Sequence, residues 1–380
     1  MTRDDRRVPG LDGIRGLAAL YVVVHHCRLL AFPGYPADTG PGWLGWLIHG
    51  RFAVVVFIVL SGFSLAVAPA RRGWRLDGTL PYARRRARRI LPAYWAALTV
   101  SALIATAVPA LPLSTPPTTE SMLVYGLLLQ DAIAAPAPNG AFWSIAVEAF
   151  LYLMFPLLLL AQRRLGPVAT LALVVTPVVA AGLLWPGWST AARATGYTLE
   201  MAPLFTLGLL TAGIVAASER VRSLPWLGLS ALAAAPVLTL IVLHDSVWTV
   251  SRYYWLDLAA GPAIALFLAA VATRRPARLT RLLESRPLVA LGGFSYSLYL
   301  IHMPIVALIS TLLVIPHTGP GLTGFTITVT LALPVCLAAS RLFAALFETR
   351  FRTHRNAFLV ANDPAYADTG DQSGIAQHQP

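Results

Sequence analysis

The sequence predicts an all-α integral membrane protein with about ten transmembrane helices and both termini in the cytoplasm. Of its 380 residues, 57% are hydrophobic and 12% are charged, with a mean hydropathy of +0.66. Soluble domains carry about 25% charged residues, so the chain has too little polar surface to cover a core of this size. Apolar windows of about 20 residues, enough to cross roughly 30 Å of hydrocarbon, recur along it.

Ten such windows can be drawn, and residues 1–355 together form the predicted membrane domain. They lie at residues 11–30, 50–69, 90–110, 142–161, 166–185, 198–217, 224–243, 255–273, 288–314 and 323–346. The first is interrupted by charged residues and lacks a clear cleavage site, which predicts a retained span. Residues 356–380 are polar and aperiodic, which predicts a disordered cytoplasmic tail.

The charged loops support this topology. All 29 basic residues are Arg, and the formal charge is +12. With the N-terminus inside, 23 of the 29 arginines fall in cytoplasmic segments, as expected for a multi-pass protein of the plasma (inner) membrane. Because they lie between apolar segments and not on one compact face, nucleic-acid binding is not expected.

The two cysteines lie inside apolar windows. Cys27 and Cys336 therefore offer neither a disulfide framework nor paired metal ligands. No metal and no tightly bound cofactor are expected.

The few titratable groups inside spans are candidate functional residues, because such groups are costly in a membrane. Arg15 and His26 are eleven residues apart, which places them within about 20° of one helix face and about 16 Å apart along the axis. His25 points about 100° away from His26. His26 lies about 22 Å from the inner end of its span, His302 about 21 Å, and Glu148 about 9 Å from the outer end. All three are predicted to share one layer in the outer half of the membrane.

A His and a Glu at one depth suit general base catalysis, because imidazole takes a proton near neutral pH and a carboxylate can support it. Ser144 and Tyr152 flank Glu148 at four-residue spacing and share its face. Tyr299 and His302 share a face of another span. A proton relay has the same residue types, and hydroxyls also join helices structurally.

Five arginines occur within six residues in the segment PYARRRARRILPAYW. Helical spacing groups Tyr82 with Arg85 and Arg89, or Arg84 with Arg88, at the inner membrane boundary. A phosphate-bearing ligand would suit either face. The structural alternative is a stop-transfer cluster that attracts lipid headgroups, but the density favours a ligand.

Other features have simpler interpretations. Asp12 is a candidate N-cap, the Gly of the Ser61–Phe63 segment suits helix packing, and the Pro-rich loop 111–141 is a candidate lid over a cavity. The charged residues near the outer span ends are predicted to be interfacial: Arg193, Glu200, Arg252 and Asp257.

Five segments carry a resemblance to a known family. They are Arg15 and His26 separated by ten residues after the leader LDGIRGLAAL, then VFIVLSGFSL, YARRRARRILPAYW, WSIAVEAFLYL and SYSLYLIHMPI. In this order, over about residues 9–350, the chain resembles the membrane acyltransferase-3 family. That family includes bacterial O-acetyltransferases of polysaccharides and macrolide acyltransferases.

The resemblance implies a ten-span enzyme that takes an acyl group from cytoplasmic acyl-CoA and transfers it to a hydroxyl, usually on a sugar. It implies that His26 is the catalytic His, Arg15 its basic partner and Glu148 the acid of the WS-x-x-x-E segment. Two positions depart from the pattern: His25 adds a second imidazole, and Ala149 stands where many members have Glu. The fused hydrolase-like domain of larger members is not expected, so polysaccharide acetylation that needs it is not expected either.

The predicted function is an integral membrane O-acyltransferase that moves an acyl group, expected to be acetyl, from acyl-CoA to a sugar, glycan or glycosylated small molecule. His26 would be the general base, although an acyl-His intermediate fits equally well. The CoA phosphates would lie near the arginines at 84–89. The candidate acceptor contacts are Trp143, Ser144, Tyr299 and His302.

Two alternatives stay open at this point. A proton-coupled transporter would use His26, Glu148 and His302 as a relay. A scaffold that binds lipid headgroups would need the arginines at 84–89 but not His26. The acceptor and the oligomeric state do not follow from the sequence.

Overall fold

The computed structural model describes residues 8–184 and 198–349, and in this part the chain is helical with no strand. The all-α prediction is confirmed, whereas the predicted tail at 356–380 lies outside the described residues. The principal helices are α1 (Leu11–Ala31), α2 (Arg51–Ala70), α3 (Thr79–Ala107), α4 (Thr119–Gly126), α5 (Trp143–Leu184), α6 (Met201–Thr211), α7 (Trp226–Leu243), α8 (Tyr253–Ala272), α9 (Ala277–Leu283), α10 (Arg286–Gly293), α11 (Ser295–Leu308) and α12 (Leu322–Ala344).

Eight helices in the described ranges are long and apolar enough to cross a membrane. Two predicted spans, 142–161 and 166–185, fall in the single helix α5, which is interrupted at Gly166 where φ is 81°. The span predicted at 198–217 is represented by a shorter apolar helix, Met201–Ala216. The count of ten and the orientation of the termini therefore stay predictions.

The exposed surface of the bundle is apolar. Val168, Leu184 and Val242 are each more than four-fifths exposed, whereas Val55 and Val59 in the core are 0% exposed. Apolar side chains projecting outward from several long helices form a surface that suits hydrocarbon and not water. This arrangement agrees with the membrane environment predicted from composition.

Helices α2 and α6 touch backbone to backbone. A Cβ added at Gly62 would lie 2.0 Å from the carbonyl oxygen of Phe205, and one at Gly208 would lie 1.9 Å from that of Val59. Glycine at both positions permits the close approach, as in other membrane helix pairs. The packing interpretation of the Ser61–Phe63 segment is confirmed, and this contact fixes the position of Ser61.

Helix α1 packs in the same way against α9 and α10. A Cβ at Gly13 would lie 2.2 Å from the carbonyl oxygen of Leu283, and one at Gly292 would lie 2.0 Å from that of Asp12. The predicted N-cap role of Asp12 is wrong, because the helix begins after Gly10 with no side-chain cap. Asp12 lies in the first turn and forms an ion pair with Arg15.

The loop at 111–141 is anchored to the helical bundle. Asn139 donates hydrogen bonds from its amide nitrogen to the hydroxyl oxygen of Ser101 at 3.1 Å and to the carbonyl oxygen of Leu300 at 3.2 Å. This loop contributes no side chain to the cavity that lies among α1, α2, α3, α5 and α11, so its role as a lid over a cavity stays a prediction. It joins the C-terminal part of α3 to the middle of α11.

Candidate active site

A cavity of about 330 Å³ lies among α1, α2, α3, α5 and α11. This volume falls in the range of small-molecule sites, about 300–1,000 Å³. One end, here called the basic end, is lined by six arginines: Arg15, Arg72, Arg75, Arg85, Arg86 and Arg89. The other end reaches Ser144 and Tyr299. The cavity therefore connects a positively charged surface with the interior of the bundle.

The helical face of α3 decides which arginines line the cavity. Relative to Tyr82, 100° per residue places Arg86 at about +40°, Arg89 at about −20° and Arg85 at about −60°, whereas Arg84 points to the opposite side. Tyr82, Arg85, Arg86 and Arg89 line the cavity, but Arg84 and Arg88 are exposed and do not. Of the two faces predicted from sequence, the structure places only the Tyr82 face at the cavity.

The basic end has a surplus of hydrogen-bond donors. The buried Nε of Arg86 has no hydrogen-bond partner among the described residues. Arg15 is held by Asp12 at 2.8 Å and donates to the hydroxyl of Ser64 at 2.6 Å. Converging guanidinium groups suit phosphate, because each offers several N–H donors in a fixed fork.

Glu148 lies in the wall of the cavity. Its carboxylate accepts hydrogen bonds from the hydroxyls of Ser61, at 2.7 Å, and Tyr152. The predicted shared face of Glu148 and Tyr152 is thus confirmed. Tyr82 is buried beneath them, stacked on Phe155 with ring centroids 5.2 Å apart.

The inner end of the cavity is closed by a hydroxyl pair. The oxygens of Ser144 and Tyr299 are 2.6 Å apart, and the Tyr299 hydroxyl donates to the carbonyl oxygen of Ala141 at 2.9 Å. The Tyr299 ring lies 5.7 Å from the ring of His302, between centroids. One aromatic ring therefore separates this end of the cavity from the intramembrane histidines.

His26 and His302 form a pair. Nδ1 of His26 lies 2.8 Å from the carbonyl oxygen of Val22 and 3.1 Å from Nε2 of His302, and Nδ1 of His302 lies 2.7 Å from the carbonyl oxygen of Tyr299. A carbonyl oxygen only accepts, so each Nδ1 carries the hydrogen. Nε2 of His26 is then unprotonated, and no described residue is bonded to it.

This arrangement confirms that His26 and His302 lie at one depth but changes the partner of His26. Glu148 bonds to Ser61 and Tyr152 and makes no hydrogen bond with His26 in the described structure. The described side chain within hydrogen-bond distance of the His26 ring is instead His302, which is 0% exposed. Equal depth along the membrane normal leaves lateral position undetermined, and the packing of the helices decided it.

His25 has a separate role, as its different helix face predicted. Its Nδ1 donates to the carbonyl oxygen of Leu47 at 2.6 Å, and its ring lies against Gly50. A Cβ at Gly50 would be 2.2 Å from the ring carbon Cδ2. His25 therefore ties α1 to the short helix Gly42–His49, which precedes α2.

Trp143 lies outside the cavity although its neighbour Ser144 lines it. The guanidinium of Arg51 stands over the Trp143 ring, 5.0 Å from the centroid. The predicted acceptor residues Ser144 and Tyr299 are therefore brought together, His302 is one ring away, and Trp143 faces another group of side chains.

Several cavity residues were missed by the sequence analysis. Arg86 shares the helix face of Tyr82, and that spacing could have identified it. Ser61, Ser64 and Arg72 line the cavity from α2 and its C-terminal end, but nothing in their local pattern distinguishes them from packing or loop residues. Only the tertiary structure places them there.

The sequence model described as an acyltransferase domain, of the acyltransferase-3 family, matches residues 8–341. The chain belongs to the acyltransferase-3 family. No solved structure matches it significantly.

Curated acyltransferase-3 relatives include proteins of two lengths. O-acetyltransferase OatA of Staphylococcus aureus is 26% identical over 346 residues, which cover 80% of this chain and 52% of OatA. Acyltransferase MdmB of Streptomyces mycarofaciens is 27% identical over 326 residues, which cover 79% of each protein. The chain thus spans about half the length of OatA and matches most of MdmB.

Proposed function

We propose that this protein is a plasma-membrane O-acyltransferase that moves an acetyl group from acetyl-CoA to a hydroxyl of a sugar or glycosylated small molecule. The observation that carries the proposal is the cavity that begins at six arginines and ends one tyrosine ring from the His26–His302 pair. The family assignment and the relatives named as acyltransferases favour this function over a transporter or a scaffold.

The donor would bind with its phosphates at the basic end. Arg85, Arg86 and Arg89 offer charge-assisted hydrogen bonds to phosphate oxygens. The pantetheine arm would follow the cavity past Glu148 toward Tyr299. Both termini would then lie in the cytoplasm with the basic end, where the donor is supplied.

His26 would act as the general base through Nε2. The hydrogen bond from Nδ1 to the Val22 carbonyl fixes the tautomer that leaves the Nε2 lone pair available. His26 is only partly buried, so an acceptor hydroxyl can approach it. His302 would hold the ring in place, since its Nε2 lies 3.1 Å from Nδ1 of His26 and can accept its hydrogen.

Direct transfer balances without any further reagent. The acceptor oxygen would form a bond to the thioester carbonyl carbon while its proton passes to Nε2 of His26, and the carbon–sulfur bond breaks to release CoA. Transfer through an acyl-His26 intermediate uses the same atoms in two steps. Arg15 would contribute to donor binding, because its guanidinium lines the basic end.

The test is thiol release from acetyl-CoA by the purified, detergent-solubilised protein with a panel of sugar and macrolide acceptors. We expect acceptor-dependent release that falls at least about 100-fold in His26→Ala. His317→Ala is the matched control, because His317 is exposed at the end of another helix. Full thiol release by His26→Ala would refute the assigned base. Absence of both thiol release and acetyl-CoA binding in the folded wild type would refute the enzyme.

A further inference from the structure

A second group of charged side chains lies far from the basic end. Arg51 donates from Nε to Asp257 and from Nη2 to Glu200, each at 2.6 Å. This Arg51 cluster, defined as Arg51, Glu200 and Asp257, joins α2, the start of α6, and α8. Arg51 is the first residue of α2, so about 30 Å of helix separates it from Arg71. Glu200 and Asp257 are both buried among the helices, and their predicted position at the membrane interface stays a prediction.

The cluster has more carboxylate than its arginine can satisfy. The side chains of Glu200 and Asp257 are 5% and 0% exposed, yet Oε2 of Glu200 and Oδ1 of Asp257 have no hydrogen-bond partner among the described residues. Asp131 lies nearby and accepts from the Thr198 hydroxyl at 3.0 Å. Burial raises the pKa of Asp131 to about 6, although the hydrogen bond from Thr198 lowers it. The Asp131 carboxyl group is therefore mostly ionised at neutral pH. Among the described residues, two carboxyl groups thus contact the Arg51 guanidinium and that of Asp131 lies near it.

Unpaired buried carboxylate oxygens are costly and normally receive a donor. A ligand that brings O–H or N–H donors would satisfy them, whereas an acidic ligand would add a repelled charge. A protonated amine beside these buried carboxyl groups would favour their ionised forms and supply N–H donors, so the cluster favours a ligand with a protonated amine.

Aromatic rings complete the surroundings of the cluster. The Arg51 guanidinium lies 5.0 Å from the Trp143 ring centroid and 5.6 Å from that of Tyr253. His49 Nδ1 is 3.4 Å from the Tyr253 hydroxyl. The Arg51 side chain is 18% exposed, and Trp143 and His49 are partly exposed, so the cluster reaches the surface through these three side chains, which cover the buried carboxylate oxygens. Aromatic faces beside hydrogen-bonding groups suit small hydroxyl compounds and amines.

The cluster is connected to the proposed reaction centre from two sides. Trp143 precedes Ser144, whose hydroxyl pairs with Tyr299 at the inner end of the cavity. Gly50 precedes Arg51 and lies against the ring of His25, whose centroid is 4.8 Å from that of His26. A compound held at the Arg51 cluster would therefore lie next to the histidines and opposite the donor.

We propose that the Arg51 cluster is the acceptor subsite and that it selects a hydroxyl compound carrying a protonated amine, such as an amino sugar. The inference rests on the acyl transfer proposed above, in which His26 takes the proton of the acceptor hydroxyl. The amine would bind at the unpaired oxygens of Glu200 and Asp257, and the sugar ring would lie on Trp143.

The experiment measures binding by calorimetry to the purified full-length protein without acetyl-CoA. Three probes of similar size are used: the methyl glycosides of a dimethylamino sugar, of glucose and of glucuronic acid. The tertiary amine cannot take up an acetyl group as a stable amide. We expect the amine to bind at least about 10-fold more tightly than glucoside, and glucuronide most weakly. Equal affinities or the reverse order would overturn the proposal.

Variants distinguish a ligand site from an ion pair that only stabilises the fold. In Glu200→Gln and Asp257→Asn we expect the preference for the amine to fall below about 3-fold, while Glu120→Gln, at an exposed acid on α4, keeps it. If the variants of these two buried residues do not fold, Asp131→Asn provides the test, because Asp131 is only half-buried. We expect it to lower the preference for the amine over the glucoside about 3-fold. A preference unchanged in every folded variant would refute the site.

The outcome also separates the subsite from the catalytic proposal. Binding of the amine through Glu200 and Asp257 without thiol release would leave the subsite and refute acyl transfer. If the protein releases thiol but binds the amine no more tightly than the glucoside, acyl transfer would stand and the subsite would be refuted.

Discussion

Replacing Gly62 with Ala tests the contact that positions the wall of the cavity. The added Cβ would lie 2.0 Å from the carbonyl oxygen of Phe205, about 1.4 Å inside the 3.4 Å at which ordinary contact begins. Both partners are helix backbone, so the conflict cannot be relieved by rotating a side chain. Helix α2 must move away from α6, and overpacking of this kind costs about 1–3 kcal/mol.

The same displacement should lower activity. Ser61 precedes Gly62 and donates to Glu148 at 2.7 Å, so a shift of about 1 Å in α2 breaks this hydrogen bond. We expect the unfolding free energy of Gly62→Ala, measured by denaturant titration in mixed micelles with circular dichroism, to fall by about 1–3 kcal/mol. Thiol release should fall at least about 10-fold.

Gly126→Ala is the control for this experiment. Gly126 ends α4 and a Cβ there would meet nothing within 4 Å. Alanine also has the higher helix propensity, so this variant should lose no stability. Wild-type stability and activity in Gly62→Ala, or an equal loss in the control, would refute the reasoning from the helix contact.

Three further predictions concern the two ends of the cavity and its surroundings. Arg89→Ala should raise KM for acetyl-CoA about 10-fold by removing a charge-assisted hydrogen bond, whereas the exposed Arg84→Ala should change it less than about 2-fold in initial-rate assays. Equal effects would contradict the assignment of the α3 face. Tyr299→Phe leaves the Ser144 hydroxyl without this partner and should cost about 1–3 kcal/mol in denaturant titration. Asn139→Leu loses three buried side-chain hydrogen bonds, two that it donates and one that it accepts from Ala141, and should cost at least a similar amount; an unchanged midpoint would contradict the anchoring of the loop.

Helical periodicity correctly predicted which site residues share a face when those residues belong to the same helix. The spacing of Tyr82, Arg85 and Arg89 placed them on a common face, which the structure confirms at the cavity. The same rule offered Arg84 and Arg88 as an equal alternative, because a helix shows its faces without showing which of them meets a neighbour. The environment of α3 resolved the choice.

Depth in the membrane predicted the layer in which His26 lies but not its hydrogen-bond partner. The rise per residue placed His26, His302 and Glu148 in one layer, and the two histidines do meet, at 3.1 Å. A rise along the membrane normal carries no lateral information, however, so it could not indicate that Glu148 bonds to Ser61 instead. The partner of His26 depended on how α1 and α11 pack.

Composition and sequence pattern by themselves determined that this protein is helical, lies in a membrane and carries the motifs of its family, because those properties follow from hydropathy and local spacing. The tertiary structure alone decided which arginines face the cavity, which side chain lies within hydrogen-bond distance of His26, and that Arg51 contacts two buried carboxylates. These are contacts between residues as far apart in sequence as Arg51 and Asp257. They depend on helix rotation and lateral packing, which local sequence does not encode.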